Sequence, residues 1–198
     1  FDSLFFASWV AVGSSSKKAY DIVNLYDEKK LANIIFELGE EKFSRRIAKN
    51  IVLKRKVKFI DSTKELATII SESIPIKLRK SKKIHPATKT FQALRIKVNE
   101  ELKVLEDFLK NSQKLLLPGA RLVIITFHSL EDRVVKIFFN KLTGRDSNIN
   151  RHLPSKKSRN IIKFKKINKK PYVPGAAELK YNVRSRSAKI RAIERLDV

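Results

Sequence analysis

Six consecutive residues, Leu122-Val123-Ile124-Ile125-Thr126-Phe127, narrow the possible folds more than any other feature of the chain. The run is short, rich in β-branched side chains and without polar alternation, which predicts a strand covered on both faces of a parallel sheet. Helical spacing stands on either side of it. Upstream, Phe91, Leu94, Val98, Leu102, Leu105 and Leu109 recur at alternating steps of three and four, predicting one long helix or two abutting ones from Ala87 to about Leu116. Leu117-Pro118-Gly119 punctuates the passage to the strand. Downstream, Ser129 can cap a helix carrying Val134, Val135, Phe138 and Leu142, closed by Gly144. Ile161 to Ile167 and Ala188 to Ile193 are candidate closing strands on either side of a Pro171–Gly175 turn region. Helix, turn, buried strand, helix is the order of an α/β protein.

Residues 20 to 75 read differently, as a small all-helical unit. Asp27 can cap a helix with Leu31, Ile34, Ile35 and Leu38 on one face, and Gly39 is placed to end it. A second helix is expected from near Glu40, with Phe43, Ile47 and Ile51 one turn apart. Ser62-Thr63-Lys64-Glu65 has the capping-box pattern, Leu66, Ile69 and Ile70 supply a buried face, and Pro75 stops that helix. Residues 1–18, an apolar stretch followed by Gly13-Ser14-Ser15-Ser16-Lys17-Lys18, receive no fold assignment. No internal repeat stands out.

The charge points to a polyanionic partner. Among 198 residues, 44 Lys and Arg against 20 Asp and Glu leave a formal +24, more than solubility alone favours. The cations come in acid-free blocks, Lys42 to Lys58, Lys77 to Lys97 and Arg151 to Lys170, with Arg184, Arg186, Lys189, Arg191 and Arg195 near the end. Repeated blocks of one sign suit phosphate contacts. An anionic membrane would need a long apolar span, and Leu4 to Val12 is far shorter than the roughly 20 residues required. The chain therefore reads as cytoplasmic, without a membrane partner. The absence of cysteine excludes disulfides and thiol chemistry, and three scattered histidines give no metal-ligand pattern.

Two stretches could carry chemistry. Phe127-His128-Ser129-Leu130-Glu131-Asp132-Arg133 stands at the carboxyl end of the expected strand, where open α/β sheets bind ligands. The same residues suit a purely structural role equally well: Ser129 as a cap, Glu131 and Asp132 as complements of the helix dipole, His128 as a partner of a loop carbonyl. His85-Pro86-Ala87-Thr88-Lys89-Thr90-Phe91-Gln92-Ala93-Leu94-Arg95 opens the long helix, where an anion site and a simple cap with Phe91 and Leu94 in the core are both open readings. The five glycines, at 13, 39, 119, 144 and 175, are too far apart for a nucleotide-binding loop.

These two stretches, the second extended to Ile96, together with Arg184-Ser185-Arg186-Ser187-Ala188-Lys189, closely resemble in order and separation the bacterial small-subunit ribosomal RNA methyltransferase H family. Gly39-Glu40-Glu41-Lys42-Phe43-Ser44-Arg45-Arg46-Ile47-Ala48 is similar to that family's helical insertion, and the likeness runs from about Ala19 to Arg195. Ala120 stands where the family usually has a second glycine, and Val183 where it usually has a proline.

The resemblance implies an α/β chain with an incomplete class I (Rossmann-like) S-adenosylmethionine-dependent methyltransferase fold. Residues 19–85 would be a helical insertion that helps hold RNA, and 86–198 the C-terminal half of the catalytic domain. The implied activity is methylation of a cytosine N4 in 16S ribosomal RNA with S-adenosylmethionine as donor, and the implied partner is 16S rRNA or the small ribosomal subunit. His128, Ser129, Glu131 and Asp132 are the expected catalytic-pocket residues. His85, Thr88, Lys89, Gln92, Arg95, Arg133, Arg184, Arg186 and Lys189 are the expected RNA contacts. The family's cofactor motif lies upstream, so the chain is expected to be a C-terminal part with no cofactor-binding residues of its own, inactive alone, and completed by a missing N-terminal half or by a homo-oligomer. A non-enzymatic RNA-binding protein is the main alternative. A ribosomal or DNA-compacting structural protein ranks last, because it leaves the buried strand and its polar end unexplained.

Overall fold

A computed structural model describes residues 18–80, 85–144 and 162–197. The apolar opening segment and the beginning of the basic block at Arg151 fall outside these residues. The chain divides into two compact units, 1–101 and 102–198.

The first unit is helical: α1 Ala19–Leu25, α2 Glu28–Gly39, α3 Ser44–Arg55, α4 Thr63–Ser73, α5 Ile76–Lys80 and α6 Thr88–Asn99. The Asp27 carboxylate caps α2 by accepting from Lys30 N at 2.8 Å, and the Ser62 hydroxyl caps α4 by accepting from Glu65 N at 3.1 Å. Both caps follow from local sequence, since a short polar side chain beside free backbone N–H groups needs no distant partner. The second helix begins at Ser44 rather than near Glu40. Glu40 takes a left-handed conformation with φ 50° that ends α2, and the buried Glu41 carboxylate accepts from Phe43 N at 3.0 Å. Leu31, Ile35, Ile47, Ile51, Leu66, Ile70, Phe91, Leu94 and Val98 meet in one core. The helix over 88–99 therefore packs within the helical unit.

Two arginines of the basic sequence blocks hold this unit together. The Arg55 guanidinium donates from Nη1 to Val23 O at 2.5 Å and from Nη2 to Tyr26 O, satisfying carbonyls at the C-terminal end of α1. Arg79 treats the end of α4 likewise, Nε to Ile74 O at 2.6 Å and Nη2 to Glu72 O at 3.1 Å.

The long apolar pattern resolves into two helices, with Glu100 at φ 50° between α6 and α7 Glu101–Leu115. The second unit then holds β1 Arg121–Thr126, α8 Ser129–Leu142, β2 Phe164–Lys166, α9 Ala176–Tyr181, a 3-10 turn Val183–Ser187, and β3 Lys189–Arg195. The three strands lie in the order β1-β3-β2, and both pairings are antiparallel. The result is a mixed α/β unit.

The expectation of a parallel strand covered on both faces is corrected here. Leu122, Ile124 and Thr126 are buried, while Val123, Ile125 and Phe127 are each more than half exposed. One face of β1 packs with Val135 and Phe139 of α8, Leu109 of α7, Phe164 and Ile193; among the described residues of this unit the other face is open. An apolar run without polar alternation cannot reveal this, because both faces carry apolar side chains whether or not both are covered.

Candidate functional site

The carboxyl end of β1 leads directly into α8, and His128, not Ser129, is the residue that caps it. His128 has extended backbone (φ −142°, ψ 166°), and its Nδ1 accepts from Glu131 N at 3.3 Å. Glu131 Oε2 in return accepts from Phe127 N at 2.8 Å and His128 N at 3.2 Å. The cap moves one residue upstream because the imidazole reaches the same free N–H that a serine hydroxyl would, and Glu131 closes the reciprocal arm. Ser129 thereby becomes the exposed first residue of the helix.

Asp132 lies one turn below, 8% exposed, within reach of two cations from β3. Arg191 Nε donates to Oδ1 at 2.6 Å and Nη2 to Oδ2 at 3.2 Å, while Lys189 Nζ stands 3.4 Å from Oδ2. Burial pushes the Asp132 carboxyl up, but the Arg191 hydrogen bonds and the charges of Arg191 and Lys189 outweigh it and hold the group below its ordinary value. The carboxylate is thus anionic at neutral pH and committed to cations, which suits positioning rather than proton transfer. His128, Glu131 and Asp132 together fix the path of the chain at the strand end, with Ser129 facing solvent.

The stretch opening α6 is also held from within the protein. His85 Nδ1 accepts from Ala87 N at 3.2 Å. Lys89 Nζ donates to Glu40 O at 2.8 Å, closing the left-handed turn after α2. Arg95 forms a two-bond pair with Glu101, Nε to Oε1 at 2.8 Å and Nη2 to Oε2 at 3.0 Å. Thr88 and Gln92 are half-buried. Arg133, Arg184 and Arg186 are exposed, and Lys189 is half-buried beside Asp132. The structure thus gathers His128, Ser129, Glu131, Asp132 and Lys189 at one strand end, whereas Lys89 and Arg95 are engaged in intramolecular contacts.

Arg191 is the residue at this site that sequence reading left as one cation in a block. Its pairing with Asp132 spans 59 positions and depends on the register of β3, for which the sequence carries no local signal. Lys42, Arg45, Arg46 and Lys49 are exposed on and beside α3 and form the clearest cationic face of the helical unit.

The glycines do not fit an adenosyl cofactor. A Cβ on Gly39 would meet Lys89 O at 2.6 Å and one on Gly144 would meet Ile162 Cδ1 at 2.7 Å, so both backbones are already packed against the protein. Gly119 and Gly175 face open space but stand far apart in sequence, each in its own turn; Gly13 lies outside the described residues. A phosphate or adenosine cradle needs several neighbouring small residues, and the described residues do not provide one.

Known proteins are similar in sequence over most of this chain. It is similar to proteins named ribosomal RNA small subunit methyltransferase H. The one from Fusobacterium nucleatum is 47% identical over 178 residues, covering 90% of this chain and 55% of that protein. The one from Oenococcus oeni is 46% identical over 182 residues, covering 92% and 57%. The one from Caulobacter vibrioides is 42% identical over 186 residues, covering 94% and 59%. The chain thus spans about half the length of the curated relatives it matches. The pattern of the MraW methylase family runs through both compact units, from residue 12 to residue 196, and the chain belongs to that family.

Proposed function

We propose that this chain is the RNA-holding, target-positioning portion of an S-adenosylmethionine-dependent methyltransferase that modifies a cytosine N4 in 16S ribosomal RNA, working in the cytoplasm. The family match over residues 12–196 carries this reading. The strand order β1-β3-β2, with β3 antiparallel between its neighbours, supports a second half of a class I sheet. The formal charge of +24 supports a nucleic-acid partner. Among the described residues no helix is long and apolar enough to cross a membrane.

S-adenosylmethionine would supply the methyl group, held by a segment outside this sequence. The residues of this chain would do the rest of the work. A cytosine amino group is a poor nucleophile because its lone pair is delocalised into the ring, so orientation and desolvation matter more than a strong base. His128, Ser129, Glu131 and Asp132 would shape the pocket: the reciprocal cap fixes the loop, Asp132 ties it to β3, and the exposed Ser129 would face the base. Arg133, Arg184 and Arg186, with Lys42, Arg45, Arg46 and Lys49 on the helical unit, would contact phosphates. On the helical unit His85, Thr88 and Gln92 would contact RNA, with Lys89 and Arg95 holding the start of α6 in shape, and on the second unit Lys189 would do so beside Asp132.

The test uses small ribosomal subunits lacking this methylation. The chain should bind them with an affinity that falls steeply with salt. Mixed with the upstream segment of a relative and S-adenosylmethionine, it should place a methyl group on a cytosine N4, and the chain carrying Ser129→Ala and Arg184→Ala should do so more slowly. Salt-insensitive or absent binding overturns the reading. A second reading, an RNA-binding protein without catalysis, is favoured by the poor fit of the glycines to a cofactor; it predicts the same binding and no methylation under any mixture.

A further inference from the structure

β2 ends at Lys166, opposite Ile193, so its pairing with β3 stops short of Arg191. Arg191 itself is paired with Ile124 of β1, which turns the backbone groups of its neighbours Ile190 and Ala192 toward the β2 side. One more ladder bond follows β2, from Ile167 N to Ala192 O at 3.0 Å. The chain then bulges away through Lys169, Lys170 and Pro171. It returns at Tyr172, whose N donates to Ile190 O at 3.0 Å and whose O accepts from Ile190 N at 2.9 Å.

The half-buried Asn168 side chain fills the interval. Its Oδ1 accepts from Ala192 N at 2.9 Å, the donor that the Ile167 carbonyl would take in an unbroken antiparallel ladder. Its Nδ2 donates to Ile190 O at 3.0 Å and to Lys170 O at 2.8 Å, which closes the bulge. A carboxamide carries the C=O and N–H of a peptide unit, so the side chain continues the strand where the main chain has left it. Only one orientation of the amide works: turned over, it would set donors against Ala192 N and an acceptor against two carbonyls. Ala192 is buried, so its N–H would be costly to leave without this acceptor.

The two residues gripped in this way are the immediate neighbours of Arg191. The guanidinium meets Asp132 with Nε and Nη2 on separate carboxylate oxygens, a two-pronged geometry that depends on where β3 carries the arginine. A β3 free to twist at 190–192 would move the fork off the carboxylate. The loop defined by the His128–Glu131 cap would then lose its tie to the sheet through Asp132.

We infer that Asn168 is a positioning residue for the strand-end loop: its amide takes the place of a peptide unit between Ile190 and Ala192 and so aims Arg191 at Asp132. The consequence for methyl transfer rests on the proposed function; the aiming of Arg191 does not. The inference extends the site from the loop itself to the bulge on the far side of β3.

The experiment follows the Arg191 Nε–H signal of the isotope-labelled full chain by NMR at slightly acidic pH, identified by its absence from Arg191→Lys. Asn168→Ala removes every arm of the amide. Asn168→Asp keeps an acceptor for Ala192 N but sets a carboxylate against the Ile190 and Lys170 carbonyls. Both should speed solvent exchange of the Arg191 Nε–H by about tenfold, the protection lost with one hydrogen bond. Glu194→Gln is the comparison: it weakens the β2–β3 pairing at Lys165 without touching the amide, so it should lower the melting temperature and leave that exchange as it was. Unchanged exchange in a folded Asn168→Ala or Asn168→Asp chain overturns the inference. So does an equal acceleration in Glu194→Gln, which would make Asn168 one strand contact among several.

A measurement on the unsubstituted chain needs no variant to fold. Exchange of the Ala192 N–H and of the Arg191 Nε–H, recorded against urea, should follow a single opening; an Ala192 N–H that opens while Arg191 stays protected overturns the inference. In the mixture with the upstream segment of a relative and S-adenosylmethionine, Asn168→Ala should slow methyl transfer about tenfold at saturating ribosomal subunits and leave the half-saturating concentration unchanged. Undiminished transfer by this variant overturns the consequence for catalysis. If the unsubstituted chain binds no ribosomal subunits, the functional reading itself fails, and the exchange data still decide whether Asn168 aims Arg191.

Discussion

Arg191 grips Asp132 through two hydrogen bonds, Nε to Oδ1 at 2.6 Å and Nη2 to Oδ2 at 3.2 Å, joining β3 to the first turn of α8 across 59 positions of sequence. Lys189 adds a weaker contact to the same carboxylate. Removing the guanidinium leaves a nearly buried anion with only the Lys189 contact, so Arg191→Ala should cost about 2 kcal/mol in urea unfolding.

The same pair sets a pH dependence. The Asp132 carboxyl titrates below its ordinary value in the folded chain, so its contribution to stability is present above about pH 4 and is lost as pH falls through the folded-state value. Asp132→Asn should therefore be less stable than the unsubstituted chain at neutral pH. Unfolding curves recorded at decreasing pH should bring the two together.

Gly39→Ala should destabilise the helical unit by about 1–3 kcal/mol, even though alanine is the better helix former. The added Cβ would stand 2.6 Å from the Lys89 carbonyl oxygen, a backbone atom that cannot rotate aside. Chemical denaturation of this variant should show a lower midpoint; an unchanged one would mean that α2 and α6 separate without cost.

Arg55 acts as a cap rather than as a surface charge. Arg55→Met keeps the aliphatic stem but abandons Val23 O and Tyr26 O, and should cost about 2 kcal/mol. Arg55→Lys should recover only part of this, since an ammonium does not reproduce the two-pronged geometry. Thermal melting of the three chains orders them.

Val123 projects from the open face of β1, which is an edge strand among the described residues. Val123→Lys should change stability by less than about 0.5 kcal/mol and raise the concentration at which the chain aggregates, because a charge on an edge strand discourages pairing with another copy. Light scattering against concentration measures it.

Features governed by neighbouring residues were legible in the sequence. Asp27 and Ser62 cap the helices they were expected to cap, and β1 occupies nearly the span of the Leu122–Phe127 run. The family was legible too, since its motifs are contiguous. What was not legible depends on register and through-space contact. A run of apolar residues does not disclose whether its partner is parallel, and the imidazole of His128 displaced Ser129 as cap through a reach that spacing does not encode. Net charge likewise cannot separate Arg55, Arg79 and Arg191, which bind carbonyls and a carboxylate, from Lys42 and Lys49, which face solvent.

The contact between Gly39 and Lys89 also orders events during synthesis. A nascent chain that has emerged only to Lys80 possesses α1 to α5 but lacks Phe91, Leu94 and Val98, which complete their core, and the ammonium that closes the turn at Glu40. Fifty residues must be threaded out before these partners meet, so the helical unit matures late relative to its own length, and its apolar faces stay open to chaperones in the interval.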